Sequence, residues 1–421
     1  MPSFNLPPTS ASQLLAWILL ALLLQVALGA GLALWRRRPA AAGPAQPAFM
    51  AAPPAPSTGA WPGTRAFRVA SRQYEDAAGT QCSFYLEPVD GAPLPEFKPG
   101  QFLTFALPMP DASAPGGQRT VTRCYSLSDR PLPTHYRITV KRVPAPPGEP
   151  AWPPGVASHH LHDQVHAGDV LQVRAPGGRF FIDPDPAVPV VLVAGGIGIT
   201  PMMSMLGWCL ATQPGRPVHL YYGVRHGGEQ AFKTALAQLA ADHPQLTLNV
   251  AYSRPRPEDR QGVDYQHAGH VDVALLRGTL PHGRHQFYVC GPAAMMDTLV
   301  PGLAEWGVPA ADIDHEAFGP AAVRRPTAQP AAPTVAAALQ VRFERSGRTL
   351  DWDAQAGNLL DFAERHGIEV ESGCRSGGCG SCETRLLSGS VSYAEPPDHD
   401  IAPGHCLLCV GRPQSALVLE A

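Results

Sequence analysis

Residues 374–382 read CRSGGCGSC, a stretch that places three cysteines close together among glycine and serine. A buried structural cysteine is normally surrounded by apolar side chains, and this stretch contains none. We therefore expect Cys374, Cys379 and Cys382 to act as ligands or reactive groups instead of packing in a core.

A fourth thiol is available in the later sequence HCLLCVGRP, which contains Cys406 and Cys409. The pairs Cys379/Cys382 and Cys406/Cys409 would suit a tetrahedral zinc site, but this interpretation leaves Cys374 without a role. The alternative set of Cys374, Cys379, Cys382 and Cys409 has the plant-type spacing of a [2Fe–2S] cluster. The loop glycines favour the cluster, because its sulfurs need many backbone N–H groups directed at them.

This segment resembles the plant-type ferredoxin family over the last part of the chain, residues 337–421. The resemblance implies an α+β β-grasp fold, in which Cys409 ends an apolar strand and Cys406 is a spare thiol. The flanking sequence agrees with that fold. LQVRFERSGRTLDWDA alternates as a β-hairpin, and NLLDFAERHGIEV has helical spacing that stops at Gly367.

Length and charge limit the remaining possibilities. The chain has 421 residues, enough for two or three domains, and a net charge of −3, which predicts no nucleic-acid partner. Its nine cysteines include the cluster pattern and otherwise stand singly, so they do not form a disulfide framework. A reducing compartment is expected.

The N-terminal sequence is strongly apolar. LLAWILLALLLQVALGAGLALW carries no formal charge, which predicts a transmembrane helix over residues 13–35. A signal peptide would need positive charge before the apolar run, whereas Arg36, Arg37 and Arg38 follow it. The positive-inside rule then predicts a single-pass anchor in a bacterial-type inner membrane, with the N-terminus outside and the other domains cytoplasmic.

Two Pro/Ala-rich linkers, residues 36–63 and 321–336, separate a central body from the anchor and the cluster domain. In its first part, residues 64–184, short alternating segments such as YRITVKRV and DVLQVRAP predict a small antiparallel β-barrel. In its second part, residues 185–320, strands and helices are predicted to alternate, beginning with VPVVLVAGGIGITPMMSMLGWCL. This alternation is typical of a Rossmann-like α/β domain. Its strand, glycine turn and helix start form a phosphate cradle.

The barrel segment contains the tetrapeptide Arg123-Cys124-Tyr125-Ser126, and Gly155 to Ser158 precede a short helical pattern. With the glycine turn that follows, these segments resemble the ferredoxin reductase superfamily of flavoproteins over about residues 64–320. The likeness is strongest to the reductase half of flavohaemoglobins and to reductases of bacterial multicomponent oxygenases. It implies FAD, with FMN possible, and either NADH or NADPH as the nicotinamide nucleotide.

The resemblance also implies roles for individual residues. Arg123 would neutralise the flavin phosphate, Tyr125 would pack beside the isoalloxazine and Ser126 would hydrogen-bond near its reactive nitrogen. Cys290 would line the nicotinamide pocket and Phe318 would cover the flavin, which with Ser126 completes the catalytic set. The remaining cofactor-binding residues implied are Lys141, Gly155, Val156, Ala157, Ser158, Gly195, Gly196, Gly198, Thr200, Pro201, Ser253, Arg254, Gly291 and Pro292.

Two points of recognition stay open in the sequence. Ser253 and Arg254 could grip the extra phosphate of NADPH, but NADH-using relatives can carry similar residues. The neighbouring His159, His160, His162 and His166 invite a metal hypothesis. Because no acidic or thiol partner accompanies them, solvated helix residues are the better interpretation.

The order of modules predicts an electron chain from nicotinamide through flavin to a [2Fe–2S] cluster. The first functional hypothesis is a membrane-anchored NAD(P)H:acceptor reductase that serves an oxygenase, hydroxylase or desaturase in trans. A second is a reductase for a soluble metalloprotein of the hybrid-cluster type, or for quinone. A third, from another class, is a redox sensor or docking protein with negligible turnover.

Overall fold

The structure, a computed structural model, describes residues 61, 63–111, 115–145, 154–318, 339–375, 377–394, 396–397 and 399–421. All of these belong to one unit, Ser57–Ala421. The predicted transmembrane helix over residues 13–35 and the linker 321–336 lie outside the described residues, as does nearly all of the linker 36–63. None of the described helices is long and apolar enough to cross a membrane.

The first part is a six-stranded antiparallel sheet that curls into a barrel, with the strand order β4-β3-β6-β1-β2-β5. Its strands are β1 Thr64–Tyr74, β2 Gln81–Pro88, β3 Phe102–Pro110, β4 Gln118–Ser126, β5 Tyr136–Lys141 and β6 Val170–Gly177. A bridge between Leu127 and Ile138 joins the ends of the two edge strands and closes the barrel. Alternating apolar residues such as Phe67 and Val69 fill its core. Helix α1, Val156–Asp163, follows β5 and contributes Leu161 to the same core.

The second part is a parallel sheet with the order β10-β9-β8-β7-β11-β12. Its strands are β7 Val190–Gly195, β8 Val218–Val224, β9 Leu246–Tyr252, β10 His267–Ala268, β11 Gln286–Gly291 and β12 Ile313–Ala317. The helices are α2 Ile199–Thr212, α3 Lys233–Asp242, α4 Val273–Thr279 and α5 Ala293–Glu305. Strand order reverses between β7 and β11, and such a switch point is where α/β sheets bind ligands.

The third part has a mixed five-stranded sheet with the order β14-β13-β19-β15-β17. Its strands are β13 Gln340–Phe343, β14 Arg348–Asp351, β15 Glu383–Ser388, β17 His405–Leu407 and β19 Leu417–Leu419, and β16 Val391–Tyr393 pairs separately with β18 Gly411–Pro413. Helix α6, Leu359–Arg365, packs Leu359, Leu360 and Phe362 into the core of this sheet. The expected hairpin and helix are thus confirmed, and so is the multidomain fold of β-barrel, α/β and α+β parts.

Candidate functional site

A cavity of about 470 Å³ lies where the three parts of the chain meet. The barrel contributes one wall, the segment after β7 and the end of β12 contribute a second, and the cysteine loop contributes a third. The lining residues are Phe102, Arg123, Cys124, Tyr125, Ser126, Thr139, Val140, Lys141, Val143, Gly155, Val156, Ala157, Ser158, Ile197, Thr200, Glu316, Ala317, Phe318, Ser372, Gly373, Cys374 and Arg375. The cavity therefore brings together residues that are far apart in sequence.

The residues expected to hold flavin line this cavity. Arg123 is exposed at its rim, and its Nη1 donates to the Thr122 carbonyl at 2.7 Å, which leaves other donors of the guanidinium facing solvent. The Tyr125 ring is fixed by an edge contact with Phe105 at 5.7 Å. The hydroxyl oxygen of Ser126 is buried without a hydrogen-bond partner in the structure. An orphaned buried hydroxyl beside an exposed cation fits a ligand with both a polar ring and a phosphate.

The start of helix α1 forms the opposite end of the binding surface. Gly155 is its N-cap, and no side chain caps the helix. Ser158 Oγ donates to the Gly155 carbonyl at 2.8 Å and accepts from Val143 N at 3.2 Å, so its hydroxyl serves the turn. The first N–H groups of the helix are then left for an anion, as expected for a diphosphate.

Glu316, to which the sequence assigns no role of its own, lies in the same cavity. Its Oε2 is buried without a hydrogen-bond partner, and β12 places it in register with Cys290 of β11. Burial raises the pKa of the Glu316 carboxyl to about 8, the nearby Cys374 adds to the rise and Ser126 offsets part of it. We therefore expect the Glu316 carboxyl to be largely protonated at pH 7.

Phe318 follows directly after β12 and lines the cavity. Its side chain is 36% exposed, which leaves a face free to cover a bound ring. The prediction for Phe318 depended on the likeness to flavoproteins; the structure places the residue in the cavity lining, and its role stays a prediction.

The predicted nucleotide residues lie at the switch point, where two glycine loops touch. A Cβ at Gly198 would overlap the Cys290 carbonyl oxygen, and one at Gly195 would lie 2.6 Å from Pro292 Cδ. Gly196 has a φ of 54°, which favours glycine. Thr200 Oγ1 donates to the Ile197 carbonyl at 3.0 Å and secures the entry into α2, beside Pro201. The residues Gly195, Gly196, Gly198, Pro201, Cys290, Gly291 and Pro292 do not line the flavin cavity themselves.

Ser253 and Arg254 follow β9, at the carboxyl edge of the same sheet. Ser253 N donates to Val224 O at 3.0 Å and Arg254 N donates to Arg225 O at 2.8 Å, so both are held by their backbones. The Arg254 side chain is exposed. This position is compatible with NADH and with NADPH.

The cysteine loop directs backbone N–H groups at sulfur. Cys374 N approaches Cys379 Sγ at 3.2 Å, Gly378 N approaches Cys374 Sγ at 3.3 Å and Ser381 N approaches Cys379 Sγ at 3.5 Å. From the next segment, Cys409 N approaches Cys382 Sγ at 3.4 Å. Such donors stabilise sulfur that carries negative charge, which is the property expected of cluster ligands.

Left-handed backbone makes this wrapping possible. Gly377 and Gly380 have φ values of 78° and 72°, while a Cβ at Gly380 would overlap the His399 ring. Arg375 also has a positive φ, 57°, and its guanidinium pairs with Asp361 at 3.2 Å and with Glu364. These ion pairs tie the loop to α6.

The four predicted ligands form two pairs, in which Cys379 hydrogen-bonds with Cys374 and Cys382 with Cys409. Among the described residues, no three His, Cys, Asp or Glu side chains converge as ligands of a single metal ion. Two sulfur pairs fit a two-iron cluster better than one tetrahedral zinc ion. Cys406 is buried in the domain core, where burial raises the pKa of its thiol to about 12, as expected of a spare cysteine.

Three of the four histidines of the helical segment make separate local contacts. His162 Nε2 lies 2.9 Å from the Val140 carbonyl and His159 Nε2 lies 3.1 Å from the Val143 carbonyl. His166 Nδ1 lies 3.1 Å from the Gln164 carbonyl. In the described structure these rings do not belong to a group of three or more potential metal ligands.

Comparison with known proteins assigns two parts of the chain to cofactor-binding domain families. Residues 192–300 match the oxidoreductase NAD-binding domain family, and residues 341–414 match the 2Fe-2S iron-sulfur cluster binding domain family. A flavohemoprotein of Halalkalibacterium halodurans is 39% identical over 263 residues, which are 62% of each chain. The chain thus spans about 62% of the length of this curated relative.

Solved structures extend the likeness across the three parts. The FAD/NAD-binding domain of nitric oxide dioxygenase from Vibrio cholerae is 34% identical with a TM-score of 0.53. That match covers 61% of this chain and 100% of the Vibrio cholerae domain. Phthalate dioxygenase reductase, described as a modular structure for electron transfer from pyridine nucleotides to [2Fe–2S], is 29% identical with a TM-score of 0.50. That match covers 85% of this chain and 98% of the reductase.

Fold, site and comparisons together define a modular flavin and iron–sulfur reductase. The chain combines a ferredoxin-NADP reductase-type FAD/NAD-binding unit with a C-terminal [2Fe–2S] domain, in the arrangement of phthalate dioxygenase reductase. It is an NAD(P)H oxidoreductase whose cofactors are FAD, a [2Fe–2S] cluster and NAD(P)H.

Proposed function

We propose that this chain is the membrane-anchored reductase component of an oxygenase, hydroxylase or desaturase system, passing electrons from NAD(P)H through flavin and [2Fe–2S] to that partner. One observation carries the proposal. The cavity that fits flavin is bounded by Ile197 and Thr200 of the nucleotide part and by Ser372 to Arg375 of the cysteine loop. One flavin site therefore adjoins both the electron source and the next carrier.

When bound, FAD accepts two electrons as hydride and releases them singly, which the one-electron cluster requires. The residues of the chain prepare the cavity for this exchange. Arg123 and the start of α1 supply the positive charge and N–H groups that hold the phosphate end, and Lys141 adds a second cation at the wall.

At the ring end, the side chains control protons and water. Ser126 Oγ is positioned to donate to a ring atom, and the neutral Glu316 carboxyl holds a proton within the same cavity. Phe318 would cover one face of the bound ring, and Cys290 is paired in register with Glu316 on the adjacent strand. We propose Ser126, Cys290 and Phe318 as the residues nearest the hydride transfer.

Cys374 provides the route by which electrons leave the flavin cavity, because this proposed cluster ligand lies in the cavity wall itself. With Cys379, Cys382 and Cys409 it would hold the cluster beside the cavity that fits flavin. The loop N–H groups stabilise the charge that the sulfurs carry after reduction.

An oxygenase partner is supported by the likeness to phthalate dioxygenase reductase, which spans all three described parts. The apolar sequence before Arg36 supports the inner-membrane anchor, with the catalytic parts in the cytoplasm. Anchoring would raise the effective concentration of a partner in the same membrane.

Partner reduction can be tested with phthalate dioxygenase as the probe acceptor. Under anaerobic conditions, NADH or NADPH with the purified full chain should reduce this oxygenase, and a Cys409→Ser variant that retains flavin should not. Equal rates for the two proteins would show that electrons bypass the cluster and would overturn the proposal.

The anchor is tested separately by deleting residues 1–38. The full chain should remain with washed membranes and the deleted chain should be released, while both reduce ferricyanide at the same rate. Retention of the deleted chain in washed membranes would contradict the anchor.

A further inference from the structure

Cys124 is the one residue of the Arg123–Ser126 tetrapeptide to which the resemblance assigns no role. It lies on β4 between two proposed flavin residues and belongs to the wall of the cavity. Its thiol nevertheless lies within hydrogen-bond reach of Cys374 and Cys379, two proposed cluster ligands of the other domain. Cys124 thus contacts both cofactor sites.

Strand register explains why this thiol meets the cysteine loop. Thr104 of β3 pairs with Cys124 of β4 on one side and with Arg174 of β6 on the other. Paired residues of adjacent strands point to the same face of a sheet, so the three side chains form a row. Leu103 and Phe105 face the barrel core, which directs Thr104 outward.

The cysteine loop covers this row. Thr104 is only 3% exposed although it points away from the barrel core. At one end of the row, Arg174 Nη1 donates to the Cys379 carbonyl at 2.8 Å. At the other end, Cys124 meets the sulfur of the same residue. Both ends of the row therefore contact Cys379. Arg174 binds its backbone carbonyl and Cys124 contacts its side chain.

The direction of the sulfur contact follows from ligand chemistry. A cysteine that ligates iron is a thiolate and can only accept hydrogen bonds. Cys124, outside the ligand set, then supplies the proton, and Thr104 Oγ1, 3.4 Å from Cys124 Sγ, is placed to donate to it in turn. The chain of donors runs from Thr104 through Cys124 to Cys379.

We propose that Cys124 is a positioning residue that donates an S–H hydrogen bond across the domain boundary to Cys379 and thereby raises the reduction potential of the cluster. A hydrogen bond to a ligand sulfur stabilises the reduced cluster more than the oxidised one, because the reduced form carries more negative charge. This makes electron transfer from flavin more favourable. The inference rests on the ligand set of the proposed function.

The test is an EPR-monitored redox titration of the purified full chain and of four variants. Cys124→Val removes the donor at nearly constant volume, and Cys124→Ala removes it with a smaller side chain, so that failure of one to load the cluster leaves the other. Cys124→Ser keeps a donor. Cys209→Ala, which changes a buried thiol of the nucleotide part, is the matched control.

We expect the Val and Ala variants to lower the cluster midpoint potential by about 59 mV, which is a tenfold change for a one-electron couple. The Ser variant should recover most of this shift, and the control should match the parent. Val and Ala variants with the parent potential, or a Ser variant that falls as far as they do, would overturn the inference. Absence of a cluster signal in the parent chain itself would instead refute the ligand set.

Discussion

The carboxyl group of Glu316 gives the flavin cavity a pH dependence of its own. Burial raises its pKa from the ordinary value near 4.5 to about 8, so the folded state keeps a proton that the unfolded chain has lost. The free energy of unfolding should therefore fall as pH rises from about 4.5 to 8, by an amount on the order of a few kcal/mol. Glu316→Gln should flatten this dependence.

Thermal unfolding of the full chain at several pH values measures that effect. The exposed residue Glu305 offers a matched substitution, and Glu305→Gln should retain the parent slope. If Glu316→Gln and Glu305→Gln both keep the parent slope, the buried carboxyl is already ionised at neutral pH and its assigned role is wrong.

Arg123 should control how tightly flavin is held. A hydrogen bond to a charged group contributes about 1.5–3 kcal/mol, so Arg123→Ala should weaken flavin binding tenfold or more. Arg119→Ala removes an exposed arginine of the same strand outside the cavity lining and should retain flavin. Flavin fluorescence during dilution measures both dissociation constants, and equal values would place the phosphate elsewhere.

The residues that line the flavin cavity differ in how well the sequence predicts their place there. Arg123, Tyr125 and Ser126 stand in one short motif, and all three line the cavity. Glu316 carries no such signal, because a lone glutamate near a strand end is usually solvated. Its burial arises from β11 and from the cysteine loop, which are distant in sequence.

At the scale of elements, the contact between the two glycine loops is the feature most sensitive to substitution. Gly198→Ala would push the start of α2 away from the Cys290 carbonyl. We expect the KM for NAD(P)H to rise at least tenfold with little loss of flavin, since Gly198 and Cys290 are predicted nucleotide residues and do not line the flavin cavity.

Gly215→Ala is the control for that substitution, because a Cβ there would meet nothing within 4 Å. Steady-state reduction of ferricyanide at varied nucleotide concentration gives the KM of each variant. An unchanged KM for Gly198→Ala would mean that the nucleotide does not depend on this loop contact.

Local elements could largely be predicted from sequence patterns. The hairpin of β13 and β14 and helix α6 appear where alternation and helical spacing indicate them. Barrel closure could not be predicted in the same way, because the Leu127–Ile138 bridge depends on the curvature of all six strands.

For the whole molecule, the docking of the cluster domain on the barrel should set the rate of internal electron transfer. Arg174 and Arg179 bind the carbonyls of Cys379 and Pro396 across this boundary. Arg174→Ala should slow electron arrival at the cluster severalfold, while reduction of flavin by NAD(P)H stays unchanged.

Anaerobic stopped-flow absorbance separates the two phases, and Arg68→Ala, at an exposed position of β1, is the control. Identical cluster kinetics in both variants would show that the domains transfer electrons without this contact. The sequence could not predict the docking, because the motifs define each cofactor site and leave the relative position of the domains undetermined. The role proposed for the row of Cys124, Thr104 and Arg174 depends on the position of the cluster domain against the barrel.

The central claim is that electrons from NAD(P)H reach the cluster through the flavin cavity. Anaerobic titration of the purified full chain with NADH, and separately with NADPH, tests it most directly by absorbance and EPR. We predict that the flavin and iron–sulfur bands bleach together, that a reduced [2Fe–2S] signal appears, and that one nucleotide acts at lower concentration. Bleaching of the flavin alone, with the cluster absent or unchanged, would contradict the account.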